Sequence, residues 1–304
     1  MKLEKYYGII PAFYACYEAD GSVSPDRSRQ LARHLVRQGV RGLYVGGSSG
    51  ECIYLEKEER MAILEAVMSE VKGECTVIAH VACNNTAESC QLAAHAESLG
   101  VDAIASIPPI YFHLPEHAIA AYWNDISAAA PHTDFIIYNI PQLAGVALTP
   151  SLFREMRKNP RVIGVKNSSM PAQDIETFLR LGGKDCVVFN GPDEQFVSGR
   201  AIGAQGGIGG TYAAMPALFL KMDSLIREAR FDLAQHIQHE VNAIIEELCS
   251  CHGNMYAVIK EILRINEGLQ LGSVRKPLAA LIPEDREKVE SAAAHIRRAI
   301  TEWA

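Results

Sequence analysis

The chain has 304 residues, 48% of them hydrophobic and 21% charged. Those proportions exclude a disordered or fibrous protein, and a chain of this length can bury a full core without disulfide or metal staples. A net charge of −7 with no run of Lys or Arg excludes a nucleic-acid or anionic-membrane surface as the main working face.

The first apolar stretch, YYGIIPAFYACY at 6–17, has a faint look of a signal peptide. Glu4 precedes it, Pro11 interrupts it and no small-x-small cleavage site is clear, so it reads as a first buried strand. No apolar run reaches the roughly 18 residues of a membrane span. None of the eight cysteines forms a CxxC pair, and the Cys249–Cys251 spacing is not that of a zinc site. Cysteines scattered through apolar stretches are expected in a reducing cytoplasm.

Short apolar runs then recur along the chain: GIIPAF (8–13), GLYVGG (42–47), TVIAHVA (76–82), VDAIASI (101–107), DFIIYNI (134–140), VIGVK (162–166), CVVFNG (186–191) and GGIGGTY (206–212). They are continuously apolar rather than alternating, as strands covered on both faces should be. Helical patterns separate them, at 25–38, 56–72 and 85–99 among others, with Thr86 placed as an N-cap. Eight successive βα units predict an α/β protein with a (β/α)8 TIM barrel; a doubly wound sheet is the alternative, usually with five or six units. From about residue 225 onward only helical patterns occur, at 231–250, 254–268 and 284–303. No linker sets them apart, so residues 1–225 are expected to form the barrel and 226–304 a C-terminal helical extension packed on it.

In such a barrel the active site lies at the C-terminal ends of the strands, and here those ends are polar: GGSSGE, YNIP, GVKNSS, NGPDE and GGTY. Lys166 closes an apolar run. It reads either as a solvated strand end or as an amine that is partly desolvated, deprotonates readily and attacks a ketone to form a Schiff base. Tyr138 reads as a core tyrosine or as a proton shuttle. Ser48 and Ser49 sit in a plain Gly/Ser turn or in an anion cradle of hydroxyls and backbone N–H groups. Asp193 and Glu194 enrich the first turn of a helix or hydrogen-bond a polyhydroxylated substrate. His113 and His117, four residues apart, are placed on one helix face as solvated or substrate-side residues.

Taken in order, GGSSGE, YNIP, GVKNSS and NGPDE resemble the pyruvate-dependent class I aldolase family, which includes N-acetylneuraminate lyases and dihydrodipicolinate synthases. The resemblance spans essentially the whole chain and implies a (β/α)8 barrel assembled as a homotetramer, a dimer of dimers. It implies Lys166 as the Schiff-base lysine, Tyr138 as the proton-shuttling tyrosine, and Ser48 and Ser49 as the pair holding the pyruvyl carboxylate. The serine pair stands in a motif more usually written GSTGE or GTTGE. Tyr111, in PPIYF, is similar to the family's tyrosine that reaches into a neighbouring subunit's site. Synthases place an Arg two residues after the YN-x-P motif, where this chain has Leu143; loss of that guanidinium removes a charge-assisted grip on a second carboxylate. The lyase branch has Leu there, and its sugar-contacting positions correspond to Ser168, Gly191, Asp193 and Glu194. One departure stands out: strand eight of the lyases commonly ends GGIGS, and here Gly210 replaces that serine, with Thr211 or water as a substitute hydroxyl.

The resemblance therefore implies a carbon–carbon lyase that cleaves N-acetylneuraminate to N-acetylmannosamine and pyruvate with no cofactor, because the imine itself is the electron sink. Its partners are a small-molecule sugar acid and pyruvate, not nucleic acid or membrane. The other readings are a lyase for another 2-keto-3-deoxy sugar acid, a dihydrodipicolinate synthase, and a non-catalytic sugar-acid sensor.

Overall fold

Each apolar run forms a strand in the computed structural model, which describes residues 3–304. The strands are β1 (Gly8–Pro11), β2 (Gly42–Val45), β3 (Thr76–His80), β4 (Ala103–Ser106), β5 (Asp134–Asn139), β6 (Val162–Asn167), β7 (Val187–Asn190) and β8 (Gly206–Gly209). All pair in parallel, in the order β1-β8-β7-β6-β5-β4-β3-β2. The seam between β1 and β2 is closed by a parallel bridge of Ala12 with Tyr44 and by a 2.8 Å bond from the Phe13 N–H to the Tyr44 carbonyl. This is the TIM barrel that the eight βα units predict.

The helices are α1 (Pro25–Arg37), α2 (Lys57–Val71), α3 (Thr86–Leu99), α4 (Glu116–Ala129), α5 (Pro141–Ala144), α6 (Pro150–Met156), α7 (Gln173–Gly182), α8 (Phe196–Ile202) and α9 (Pro216–Arg227), then α10 (Phe231–Cys249), α11 (Met255–Glu267) and α12 (Arg286–Trp303). Their starts follow local chemistry. Ser24, Thr149 and Asn254 each accept a backbone N–H at an N-cap, and Glu56 with Glu59 forms a capping box. At α3 the cap is Asn85, whose side chain accepts from the Ala87 N–H, and not Thr86, which is the first helical residue. Asn binds its own following backbone as readily as Thr does, so the two neighbours compete for one role. α3 and α11 stop at Gly100 and Gly268, both left-handed, where a side chain would be strained.

Two apolar layers result. Ile10, Tyr44, Ile78, Ile136, Tyr138, Phe189 and Ile208 fill the barrel interior. The alternate positions, such as Leu43, Val77, Phe135, Ile137 and Val188, face the surrounding helices. No helix among the described residues is long and apolar enough to cross a membrane.

Candidate active site

Tyr138 on β5 and Lys166 on β6 are register partners in adjacent parallel strands. Partners leave a sheet on the same face, so both side chains turn into the barrel as neighbours. A register shift sets this phase. Phe135 pairs with Val162 and Ile136 with Gly164, leaving Ile163 as an extra residue. Such a bulge re-aims the side chains that follow it. The Lys166 Nζ lies 3.9 Å from the Tyr138 ring centroid and 4.2 Å from that of Tyr44. Tyr44 and Tyr138 meet edge to face at 5.8 Å. Lys166 is thus a buried amine standing on two aromatic rings, at 4% exposure. The solvated-strand-end reading is excluded.

Burial pushes the Lys166 ammonium down to about 7, against the opposing pull of the Asp193 carboxylate. Burial also raises the Tyr138 phenol to about 12, with the Ser48 and Ser168 hydroxyls drawing it back. Asp193 is raised to about 6 by burial, countered mainly by its bonds from Thr211. An amine, a phenol and a carboxyl in one cavity are each biased toward the neutral form.

The Ser48–Ser49 turn follows β2. Its shape is held by bonds from the Gly50 N–H to the Gly47 carbonyl (3.0 Å) and from the Glu51 N–H to the Ser48 carbonyl (2.9 Å). His80 on β3 contacts the Gly46 carbonyl through Nδ1 at 2.9 Å. Its imidazole is held neutral, at about 3, by burial first and by the nearby Arg60 charge second. Glu51 closes the turn in a left-handed conformation, φ 55°. Its buried carboxylate takes 2.7 Å bonds from the Lys260 Nζ and from the Arg275 N–H.

The opposite wall is the turn after β7. Asp193 Oδ2 accepts from both the N–H (2.7 Å) and the hydroxyl (2.6 Å) of Thr211. The Thr211 hydroxyl therefore spends its proton on Asp193, while Thr211 still lines the cavity beside Gly210. The Tyr14 hydroxyl instead donates to the Gly210 carbonyl at 2.7 Å. Close approach explains two glycines here. A Cβ on Gly191 would lie 2.0 Å from the Ser168 Oγ, and one on Gly209 would lie 2.0 Å from the Asp193 Oδ1.

One cavity of about 260 Å³ is lined by Ser48, Ser49, Tyr138, Lys166, Ser168, Gly191, Asp193, Glu194 and Gly210. Leu143, on α5 at its mouth, is 64% exposed and also lines it. Tyr111 is not brought in: it lies on the loop before α4, 86% exposed, with φ 88°. His113 precedes α4 and His117 lies within it, so the two do not share a helix face. Sequence reasoning missed Tyr44, which looks like any strand residue, and Ile245, Met255 and Tyr256, which reach the cavity from the C-terminal helices. It also missed Asn139, whose amide donates to Asn167 at 2.7 Å and accepts from the Leu148 N–H at 2.9 Å, tying together the loops after β5 and β6. Its place directly after Tyr138 is the one signal that could have drawn notice.

Residues 5–296 match the sequence model of the Dihydrodipicolinate synthetase family. The chain is 65% identical over 291 residues to an N-acetylneuraminate lyase of Mediterraneibacter gnavus, covering 96% of this chain and 92% of that one. It is 35% identical over 272 residues to an N-acetylneuraminate lyase of an Enterobacter species, covering 90% and 91%. Among solved structures, a catalytic lysine mutant of the Ruminococcus gnavus sialic acid aldolase superposes with a TM-score of 0.99 at 63% identity, over 100% of this chain and 99% of that one.

Proposed function

Because the chain belongs to the dihydrodipicolinate synthetase family, we propose that it acts as a carbon–carbon lyase on N-acetylneuraminate, with Lys166 forming the imine. The observation that carries this reading is the buried Lys166 amine beside its register partner Tyr138, inside the cavity that also holds the serine turn and Asp193. A relative named N-acetylneuraminate lyase at 65% identity supports the substrate, and a sialic acid aldolase described by its catalytic lysine supports the chemistry. An exposed leucine at position 143 offers no grip for a second carboxylate, which disfavours the synthase reading.

The reaction then runs as follows. Neutral Lys166 attacks C2 of the open-chain 2-keto sugar acid, and the carbinolamine takes up a proton from solvent and loses water as the iminium forms. Ser48 and Ser49 hold the carboxylate. The C4 hydroxyl proton passes to the Tyr138 oxygen while the phenol proton passes on to the substrate carboxylate. The C3–C4 bond breaks, its electron pair moves into the iminium to give an enamine, and N-acetylmannosamine departs as the aldehyde. The proton returns through Tyr138 to C3. Water adds to the resulting iminium, releasing pyruvate, free Lys166 and the proton taken up at the start. The nitrogen accepts and returns the electron pair, so the cycle calls for no cofactor. Ser168, Gly191, Asp193 and Glu194 face the hydroxylated chain of the sugar.

Exposed Tyr111, 86%, and Phe112, 70%, stacked edge to face at 5.0 Å, form an apolar projection that suits a subunit interface. We place Tyr111 there, in a homotetramer built as a dimer of dimers. All eight cysteines are free thiols, which suits the cytoplasm.

The test is pyruvate release from N-acetylneuraminate, with Lys166→Ala as control. Release by the wild type that vanishes in the variant supports both substrate and imine. No release, with borohydride still trapping pyruvate on Lys166, keeps the imine chemistry and discards the substrate. No trapping discards both.

A further inference from the structure

Resting on the reading of the cavity as a sugar-acid site, we propose that Gln238 and Asn242 of α10 are positioning residues that set the grip on the sugar chain. Neither touches the cavity. They act through the turn that carries Asp193 and Glu194.

The geometry is specific. The Gln238 Nε2 donates to the Asp193 carbonyl at 3.1 Å and to the Asn242 Oδ1 at 2.8 Å, while its Oε1 accepts the Val197 N–H at 2.9 Å. The Asn242 Nδ2 donates to the Glu194 carbonyl at 3.1 Å. The turn 193–195 is a short 3-10 segment leading into α8, in which the Asp193 carbonyl accepts the Phe196 N–H and the Gln195 carbonyl the Ser198 hydroxyl. Two amides from a different part of the chain add a second bond at Asp193 and a side-chain bond at Glu194. From the β7 side, the Asn190 Nδ2 donates to the Pro192 carbonyl at 2.6 Å. The turn is thus gripped from both ends and across its back.

Residues 238, 242 and 245 follow an i, i+4, i+7 spacing, one face of a helix. Along that face stand an amide, an amide and then Ile245, which lines the cavity itself. Gln238 is buried, and its side chain has both donor hydrogens and its oxygen engaged. An amphipathic helix that only covered the barrel would need apolar residues there. The pyruvate end of the site is held by different elements, the turn after β2 together with β5 and β6. Loosening the amide pair should therefore weaken the polyol end and leave imine formation intact.

The test compares two readouts in Asn242→Ala and Gln238→Leu: KM and kcat for N-acetylneuraminate, and the pyruvate concentration giving half-maximal borohydride trapping. Each lost bond to a carbonyl predicts a KM raised about five- to tenfold in Asn242→Ala and more in Gln238→Leu, with kcat less affected and trapping unchanged. Should Gln238→Leu fail to fold, the partly exposed Asn242→Ala carries the comparison. Unchanged KM in Asn242→Ala, or trapping weakened in step with KM, overturns the inference while leaving the lyase reading in place. A wild-type protein that does not cleave N-acetylneuraminate overturns both.

Discussion

At Lys166 an amine that lines the cavity is almost wholly withdrawn from solvent, at 4% exposure, and the consequences run through both activity and stability. Its pKa is lowered from 10.5 to about 7, chiefly by burial, so the attacking free amine becomes abundant just above neutrality. Borohydride trapping of pyruvate should therefore rise with pH through an apparent value of about 7 and level off above it. A limb centred near 10 would contradict a desolvated amine. The same shift costs stability. Between about 7 and 10.5 the unfolded chain binds a proton that the folded chain does not, so this group destabilises the fold increasingly as pH falls through that window. Lys166→Met, apolar and of similar length, should melt higher than the wild type at pH 7, by about 2–4 °C for each kcal/mol recovered. A lower melting point would show that the two ring contacts and the Asp193 charge outweigh the burial of the ammonium.

At the scale of elements, what could be read in advance was whatever leaves a local mark. All eight strands were legible because burial on both faces makes them continuously apolar, and Lys166 and Tyr138 were legible because polar residues close such runs. The helix cap at Asn85 was misread as Thr86 because two competent caps adjoin. Contacts between loops leave no such mark. Gly191 was assigned to the substrate by resemblance, but its backbone also passes against the loop after β6. A Cβ there would lie 2.0 Å from the Ser168 Oγ and 2.7 Å from the Asn167 carbonyl. The hydroxyl can rotate away and the carbonyl cannot, so Gly191→Ala must part the loops after β6 and β7. Overpacking of this kind costs about 1–3 kcal/mol. If that strain falls on the bound state, kcat/KM for the sugar acid should drop about 10- to 100-fold, measurable by steady-state pyruvate release. A variant with unchanged kinetics would show that the two loops are free to separate.

Over the whole molecule, the C-terminal helices are joined to the barrel by more than apolar packing, and this could not be read from the chain. Lys260 on α11 and Glu51 after β2 are 209 positions apart, yet their side chains meet at 2.7 Å with almost no exposure. Lys260 also donates to the Ser273 carbonyl at 2.7 Å, and the Arg275 N–H binds the second Glu51 oxygen. In the sequence Lys260 is one more polar residue of an amphipathic helix, and Glu51 one more acid after a turn. Together they fasten the Ser48–Ser49 turn, through its last residue, to the extension. A buried pair of this kind contributes little net stability against an apolar replacement, because desolvation of both charges offsets their attraction; removing one partner alone strands the other. Lys260→Met should therefore destabilise the protein by about 3–5 kcal/mol in denaturant unfolding and weaken the trapping of pyruvate, since the stranded Glu51 carboxylate must seek water and drag the serine turn with it. Glu51→Gln combined with Lys260→Met removes the stranded charge and should recover much of that stability. If the double variant is no more stable than Lys260→Met alone, the ammonium acts through its bond to the Ser273 carbonyl rather than through the ion pair, and the serine turn is held by backbone alone.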